Sequence, residues 1–115
     1  MNESSTETGT LKDWGEVLAE VCKRPQMFTG SADLAAVLDF VGGYLYAREL
    51  ITTPEPEPEW RRFNHWLARK FGYPRNYAWY HARAYFSSEE EAIAAFPRLL
   101  AEFRDEGGHA SDTAT

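Results

Sequence analysis

The sequence predicts an all-α fold: a small irregular bundle of about five helices in one domain, residues 11–107, between disordered tails at 1–10 and 108–115. Three observations carry this. Apolar residues recur three and four apart over long segments, the spacing of one helix face. Those segments open on capping residues or close on Gly and Pro. The one stretch with near alternation, 76–86, has no partner strand elsewhere in the chain.

The first helix is expected from Leu11 to Lys23, with Leu11, Trp14, Val17, Leu18 and Val21 on one face. Thr10 suits its N-cap and Asp13 its first turn, while Pro25 ends it. Residues 24–30 then read as a turn or short extended piece. Ser31 caps the second helix, 32–51, whose stripe runs Leu34, Val37, Leu38, Val41, Tyr44, Leu45 and Arg48. Gly42-Gly43 interrupts its middle, at a cost of about 1 kcal/mol per glycine relative to Ala. That cost predicts a neighbouring helix or ring packed close against the pair.

Alternating Pro and Glu over 53–59 form a stiff, solvated linker. The third helix runs to Phe71, with Trp60, Phe63, Leu67 and Phe71 buried, and Gly72 to Arg75 break it. Residues 76–86 are read as helix. Ser87 and Ser88, each three residues before a Glu, begin the last helix with two overlapping capping boxes. Ile93, Phe96, Leu100 and Phe103 face inward there, and Pro97 should kink or split it after Ala95.

Composition limits the function. The chain has 115 residues and a net charge of −6, of which Glu3, Glu7 and Asp112 in the tails account for half. An acidic chain repels phosphate, which argues against general nucleic-acid binding. Cys22 is the only cysteine, so neither an internal disulfide nor a cysteine zinc site can form; its place on an apolar helix side makes it a core residue. The N-terminus lacks a secretory pattern and no apolar run nears the ~20 residues that span a bilayer, so a cytoplasmic protein without membrane contact is expected. His65 and His81 have no metal-ligand spacing, and no cofactor or metal is expected. Glu55, Glu57 and Glu59 read as a solvated linker, and Glu89, Glu90 and Glu91 as a favourable first helical turn.

The most informative stretch is Trp60–Phe86. It holds six Arg or Lys, ten aromatic residues and no Asp or Glu, whereas the rest of the chain carries all eighteen acids against six bases. Arg61, Arg62, His65, Trp66, Arg69, Lys70, Arg75, Tyr77, Trp79 and Tyr80 are the candidate partner-binding residues. On helix three, Arg62, Trp66 and Arg69 share one side, and Arg61 and His65 the adjacent one. Together they would form a face for an acidic protein, a phosphate or stacked single-stranded nucleic acid. The competing reading makes the rings core and pairs the cations with acids of the same molecule.

Lys23 to Gly30, Lys-Arg-Pro-Gln-Met-Phe-Thr-Gly, resembles a string in the ATPase region of type II topoisomerase B subunits, over these residues alone; that domain's other motifs are absent. A broader resemblance joins this string to Gly42-Gly43-Tyr44, Phe63 with Trp66-Leu67, Trp79, and a Glu-rich start to a helix bearing Phe96, Leu99-Leu100 and Phe103. In that order the chain resembles a loose group of small bacterial helical proteins, some similar to immunity proteins of toxin systems. Gln26 stands where that string commonly has Gly. The group supplies no agreed catalytic residue, so the resemblance implies binding and transfers no active site.

The leading expectation is therefore a non-catalytic protein-binding module of a bacterial cytoplasm, with an immunity-type toxin inhibitor as its specific form. The alternative is nucleic-acid or phosphate-ligand binding through 60–86. A small enzyme built on His65 or His81 is the third.

Overall fold

The computed structural model describes residues 12–53 and 55–107. The expected tails at 1–10 and 108–115, with Thr10 and Leu11, lie outside the described residues. The fold is all-α, and no strand occurs among the described residues. Its elements are α1 (Trp14–Lys23), α2 (Pro25–Thr29), α3 (Leu34–Ile51), α4 (Glu59–Phe71), a 3₁₀ helix (Trp79–Tyr85) and α5 (Glu89–Asp105).

Several boundaries differ from the sequence reading. Asp13 caps α1, accepting from the Gly15 amide at 3.1 Å. Thr10 and Asp13 are both good caps, and composition does not rank them. Residues 25–29 form a one-turn helix, not an extended piece, because a proline that ends one helix is welcome at the first position of the next. Gly30, at φ 81°, closes that turn in the left-handed region. Asp33 caps α3 through the Ala36 amide at 2.8 Å, and Ser31 instead donates to Asp33. Of residues 76–86, expected as helix, only 79–85 are helical, and they are wound as 3₁₀; 76–78 belong to the turn before it. Of the two capping boxes, Ser88–Glu91 is the one that caps α5: Ser88 Oγ accepts from the Glu91 amide at 3.0 Å. Helix α5 runs through Pro97 unsplit.

The core is aromatic at its centre. Phe63 is fully buried, with ring centroids of Trp14, Trp66, Phe96 and Phe103 at 5.9, 6.0, 6.2 and 5.5 Å. Around it pack Leu18, Val21, Leu34, Val37, Leu38, Val41, Leu67, Leu100 and other aliphatics of every long helix. Phe71 and Trp60, expected inside, are only partly buried against this core.

One polar clamp ties three elements together. Arg104 of α5 donates to Glu59 at 2.7 Å and to Asp13 at 3.1 Å, while Trp14 Nε1 donates to Glu59 at 3.1 Å. Glu89 makes a second link: it accepts from the Leu34 amide at 2.8 Å, satisfying an orphan donor at the start of α3, and pairs with Arg83 at 2.9 Å.

The close approach expected at Gly42-Gly43 is absent. A Cβ built on either glycine meets nothing within 4 Å. The crowded glycine is Gly15, where a Cβ would come within 2.9 Å of Arg104 Nη1, Asp13 Oδ2 and Leu100 Cδ2. Two substitutions should therefore move oppositely in urea melts. Gly43→Ala, in mid-helix and exposed, should stabilise by about 1 kcal/mol. Gly15→Ala, in the first turn where propensity matters less, should disturb the clamp and destabilise by about 1–3 kcal/mol, the usual range for overpacking. A loss of stability in Gly43→Ala would show that something does cover that side of α3.

Candidate functional site

The reason nothing covers Gly42 is that α3 and α4 stand apart. Among the described residues, no Cα of α3 lies within 8 Å of a Cα of α4. The gap is an open cleft of about 480 Å³. Gly42, Leu45, Tyr46 and Glu49 form one wall, spaced three and four apart and hence on one side of α3. Trp60, Arg61, Asn64 and His65 form the other wall on α4.

The loop after α4 closes the end of the cleft. Gly72, at φ 83°, turns the chain off the helix, and buried Tyr73 anchors it. The Tyr77 amide bonds to the Pro74 carbonyl at 2.9 Å, and this turn carries Arg75 and Tyr77 to the cleft. Trp79 lines its floor while packing on Trp14 and Phe96.

Charge is divided across the cleft. Glu49 lies on the α3 side; Arg61, His65 and Arg75 lie on the α4 and loop side. Arg61 sits over the Trp60 ring at 5.4 Å and reaches the Pro56 carbonyl at 3.4 Å. Glu49 and Arg75 have no hydrogen bond or ion pair among the described residues. His65 is held below its ordinary pKa, first by burial and then by the Arg75 charge. Glu57, 3.7 Å from Nδ1, pulls the other way without prevailing. That separation is too long for a hydrogen bond, so the two are not an oriented imidazole–carboxylate pair. At neutral pH the imidazole is therefore uncharged.

Of the candidate partner-binding residues, the structure gathers Arg61, His65, Arg75, Tyr77 and Trp79 around this cleft. It disperses the others. Trp66 is buried and donates to Glu106 at 3.0 Å, which corrects its expected place on the Arg62–Arg69 surface: four residues after Arg62, it turns into the Phe63–Phe103 ring cluster. Trp79 is likewise core, 7% exposed, though it lines the cleft. Lys70 pairs with Glu102 at 2.9 Å and stands over Trp66, and Arg62 reaches the Glu57 carbonyl at 3.2 Å. Tyr80 donates to Asp39 of α3. Arg69 holds no hydrogen bond or ion pair among the described residues and lies beside Trp66, Lys70 and Glu106. So part of the basic stretch serves the fold and part faces water.

Sequence reasoning missed the α3 wall. The signal was present: α3 has only Asp39, Arg48 and Glu49 as charged residues, and its apolar residues run from the core round to the exposed side. Leu34, Val37, Leu38, Val41 and Leu45 are buried, and Phe40, Gly43, Tyr46, Ala47, Leu50 and Ile51 are exposed. A helix with apolar residues on more than its core face is normally covered there; this one leaves Phe40, Tyr46, Leu50 and Ile51 exposed.

The remaining groups with chemical capacity are quiet. Burial pushes the Cys22 thiol up to about 12, so it is not a nucleophile at neutral pH. The His81 ring lies 4.2 Å from that of Tyr77, tilted by 37°, and its Nδ1 contacts the Ala78 carbonyl at 3.2 Å. No cluster of His, Cys, Asp and Glu able to hold a metal occurs among the described residues, and no helix there is long and apolar enough to cross a membrane. No protein-family model, curated protein or solved structure matches the chain.

Proposed function

We propose that this protein is a binding module, and that its partner is a protein docking on the outer face of α3. One observation carries the reading: the solvent side of α3 presents Phe40, Gly43, Ala47 and Leu50 in a single line. Leu50 is 68% exposed and Phe40 39% exposed. Phe28 of α2 extends this surface, stacking edge-on against Phe40 at 5.6 Å. Adjoining exposed apolar side chains on a small acidic protein mark an interaction surface. Tyr46 connects it to the cleft, whose far edge carries Arg61 and Arg75. The complementary partner is thus an apolar surface or helix flanked by carboxylates, which those arginines would steer and orient.

An immunity-type inhibitor of a bacterial toxin is the specific form that the sequence resemblance supports. In that form the toxin surface held by α3 would be apolar with an acidic border. The second reading, an anionic or nucleic-acid ligand, draws on Arg69 and Arg75. It has fewer stacking platforms than the sequence suggested, because Trp66 and Trp79 are buried.

The test is Leu50→Asp. Leu50 is too exposed to support the core, so stability should fall by no more than about 1 kcal/mol, the cost of a poorer helix former with a negative charge in the last turn of α3. Affinity for the native partner should fall at least about tenfold, the loss expected when a charge replaces an apolar anchor. Unchanged affinity would rule out this face.

A further inference from the structure

We propose that the cleft between α3 and α4 binds a small amphoteric molecule. The class is an apolar or aromatic body carrying a carboxylate and, near it, an ammonium: the chemistry of a free apolar α-amino acid. The carboxylate would meet Arg75 and Arg61, and the ammonium would meet Glu49. This goes beyond the docking surface on α3, since Phe40, Gly43, Ala47 and Leu50 do not line the cleft.

Four features converge. The volume, about 480 Å³, lies in the range of small-molecule sites. Its apolar lining, Leu45, Trp60, Tyr46 and Trp79, is large and mostly aromatic, as such sites require. Gly42 adds no side chain, and a Cβ there would meet only open space, so the cleft is kept clear at its α3 wall. Finally, the two walls bear opposite charge without neutralising each other: Glu49 and Arg75 line one cleft, yet no ion pair joins them.

That last feature selects the ligand class. A simple anion would gain from Arg75 and be repelled by Glu49. A simple cation would meet the converse. Only a molecule with both charges satisfies both walls. Asn64 and Asn76 add neutral amides to the lining. Asn64 spends its Nδ2 on the Trp60 carbonyl at 2.9 Å, which leaves its side-chain oxygen as an acceptor. His65, held neutral at pH 7 by burial and by Arg75, does not add a competing positive charge.

Three probes sharing one ring separate the contributions: L-phenylalanine, 3-phenylpropionate, which lacks the ammonium, and phenethylamine, which lacks the carboxylate. Titration of the full chain, followed by calorimetry and by the Trp60 and Trp79 indole N–H resonances, gives the affinities. L-Phenylalanine should bind about tenfold or more tightly than either monofunctional probe, a charged hydrogen bond being worth that much. Arg75→Gln should weaken L-phenylalanine and 3-phenylpropionate but not phenethylamine, which loses a repelling charge and should bind as well or better. Glu49→Gln should weaken L-phenylalanine and phenethylamine but not 3-phenylpropionate, which loses a repelling charge and should bind as well or better. Both side chains are exposed, so thermal midpoints should hold and a binding loss will not reflect unfolding. Three results would overturn the proposal: equal affinities for the three probes, binding of 3-phenylpropionate alone, or no indole shift with any probe at millimolar concentration. The Leu50→Asp variant should bind L-phenylalanine as the parent does, so failure of the docking face and failure of the cleft are told apart.

Discussion

Phe63→Ala should produce the largest loss of stability of any single truncation in this chain, about 3–5 kcal/mol. The ring is completely buried and is the hub of the aromatic core, contacting Trp14 of α1, Trp66 of its own helix, and Phe96 and Phe103 of α5. None of these neighbours can collapse into the space without leaving its own contacts. Domains of this size are stable by about 5–15 kcal/mol in total, so the variant should be marginal at 37 °C. In urea the midpoint should fall while the slope is kept. A loss under about 1 kcal/mol would mean that the core is not organised around this ring.

Arg104→Met should produce the second large effect, and its pH dependence identifies the cause. The Glu59 carboxylate has 22% of its side chain exposed and bonds to both Arg104 and Trp14. Burial alone would raise its pKa. The hydrogen bonds and charge of Arg104 outweigh burial and hold the group below its ordinary 4.5. A depressed carboxyl contributes stability that is complete above pH 4.5 and is lost as pH falls through the folded-state value. Without Arg104, burial dominates and the sign reverses: Glu59 costs stability wherever it is ionised. The variant should thus lose about 1–3 kcal/mol at pH 7, the cost of stranding a partly buried charged partner. The difference from the parent should begin to shrink above pH 4.5, as Glu59 protonates in the variant, and shrink further below 4.5 as it protonates in the parent. A pH-independent difference would assign the effect to lost packing of the Arg104 stem over the Trp14 ring, 5.9 Å away.

Much of the fold is legible in local spacing. Trp14, Leu18 and Val21, the Leu34–Leu45 stripe, Phe63 with Leu67, and Ile93, Phe96, Leu100 and Phe103 all face inward as their periodicity requires. Apart from local choices of cap and winding, such as Asp13 and Asp33 as the capping residues, what fails is what depends on two elements at once. Gly42-Gly43 looked like a packing site because glycine is costly in a helix, yet whether a neighbour approaches is a tertiary fact, and α4 stands off. Gly15, which does sit under another helix, carries no local mark. Residues 79–85 show how an Ala- and aromatic-rich run specifies helix without specifying its winding.

The candidate site divides in the same way. Its cationic wall was visible, because six bases without an acid stand out in an acidic chain. Counting ten rings did not reveal that Trp66 and Trp79 turn inward, since Phe63, Phe96 and Phe103 that receive them come from α4 and α5 together. The α3 wall with Glu49 was invisible from residues 60–86, because the cleft exists only as the gap between two helices.

The most direct measurement on the central claim, that the outer face of α3 is a docking surface, compares two proteins from one source. Tagged parent and Leu50→Asp would be recovered from native cells in parallel, with their stabilities measured and the bound proteins quantified. The account predicts a stoichiometric protein on the parent that is lost from the variant, together with a variant that stays folded, within about 1 kcal/mol of the parent's stability. The same protein retained in equal amount on both would contradict it.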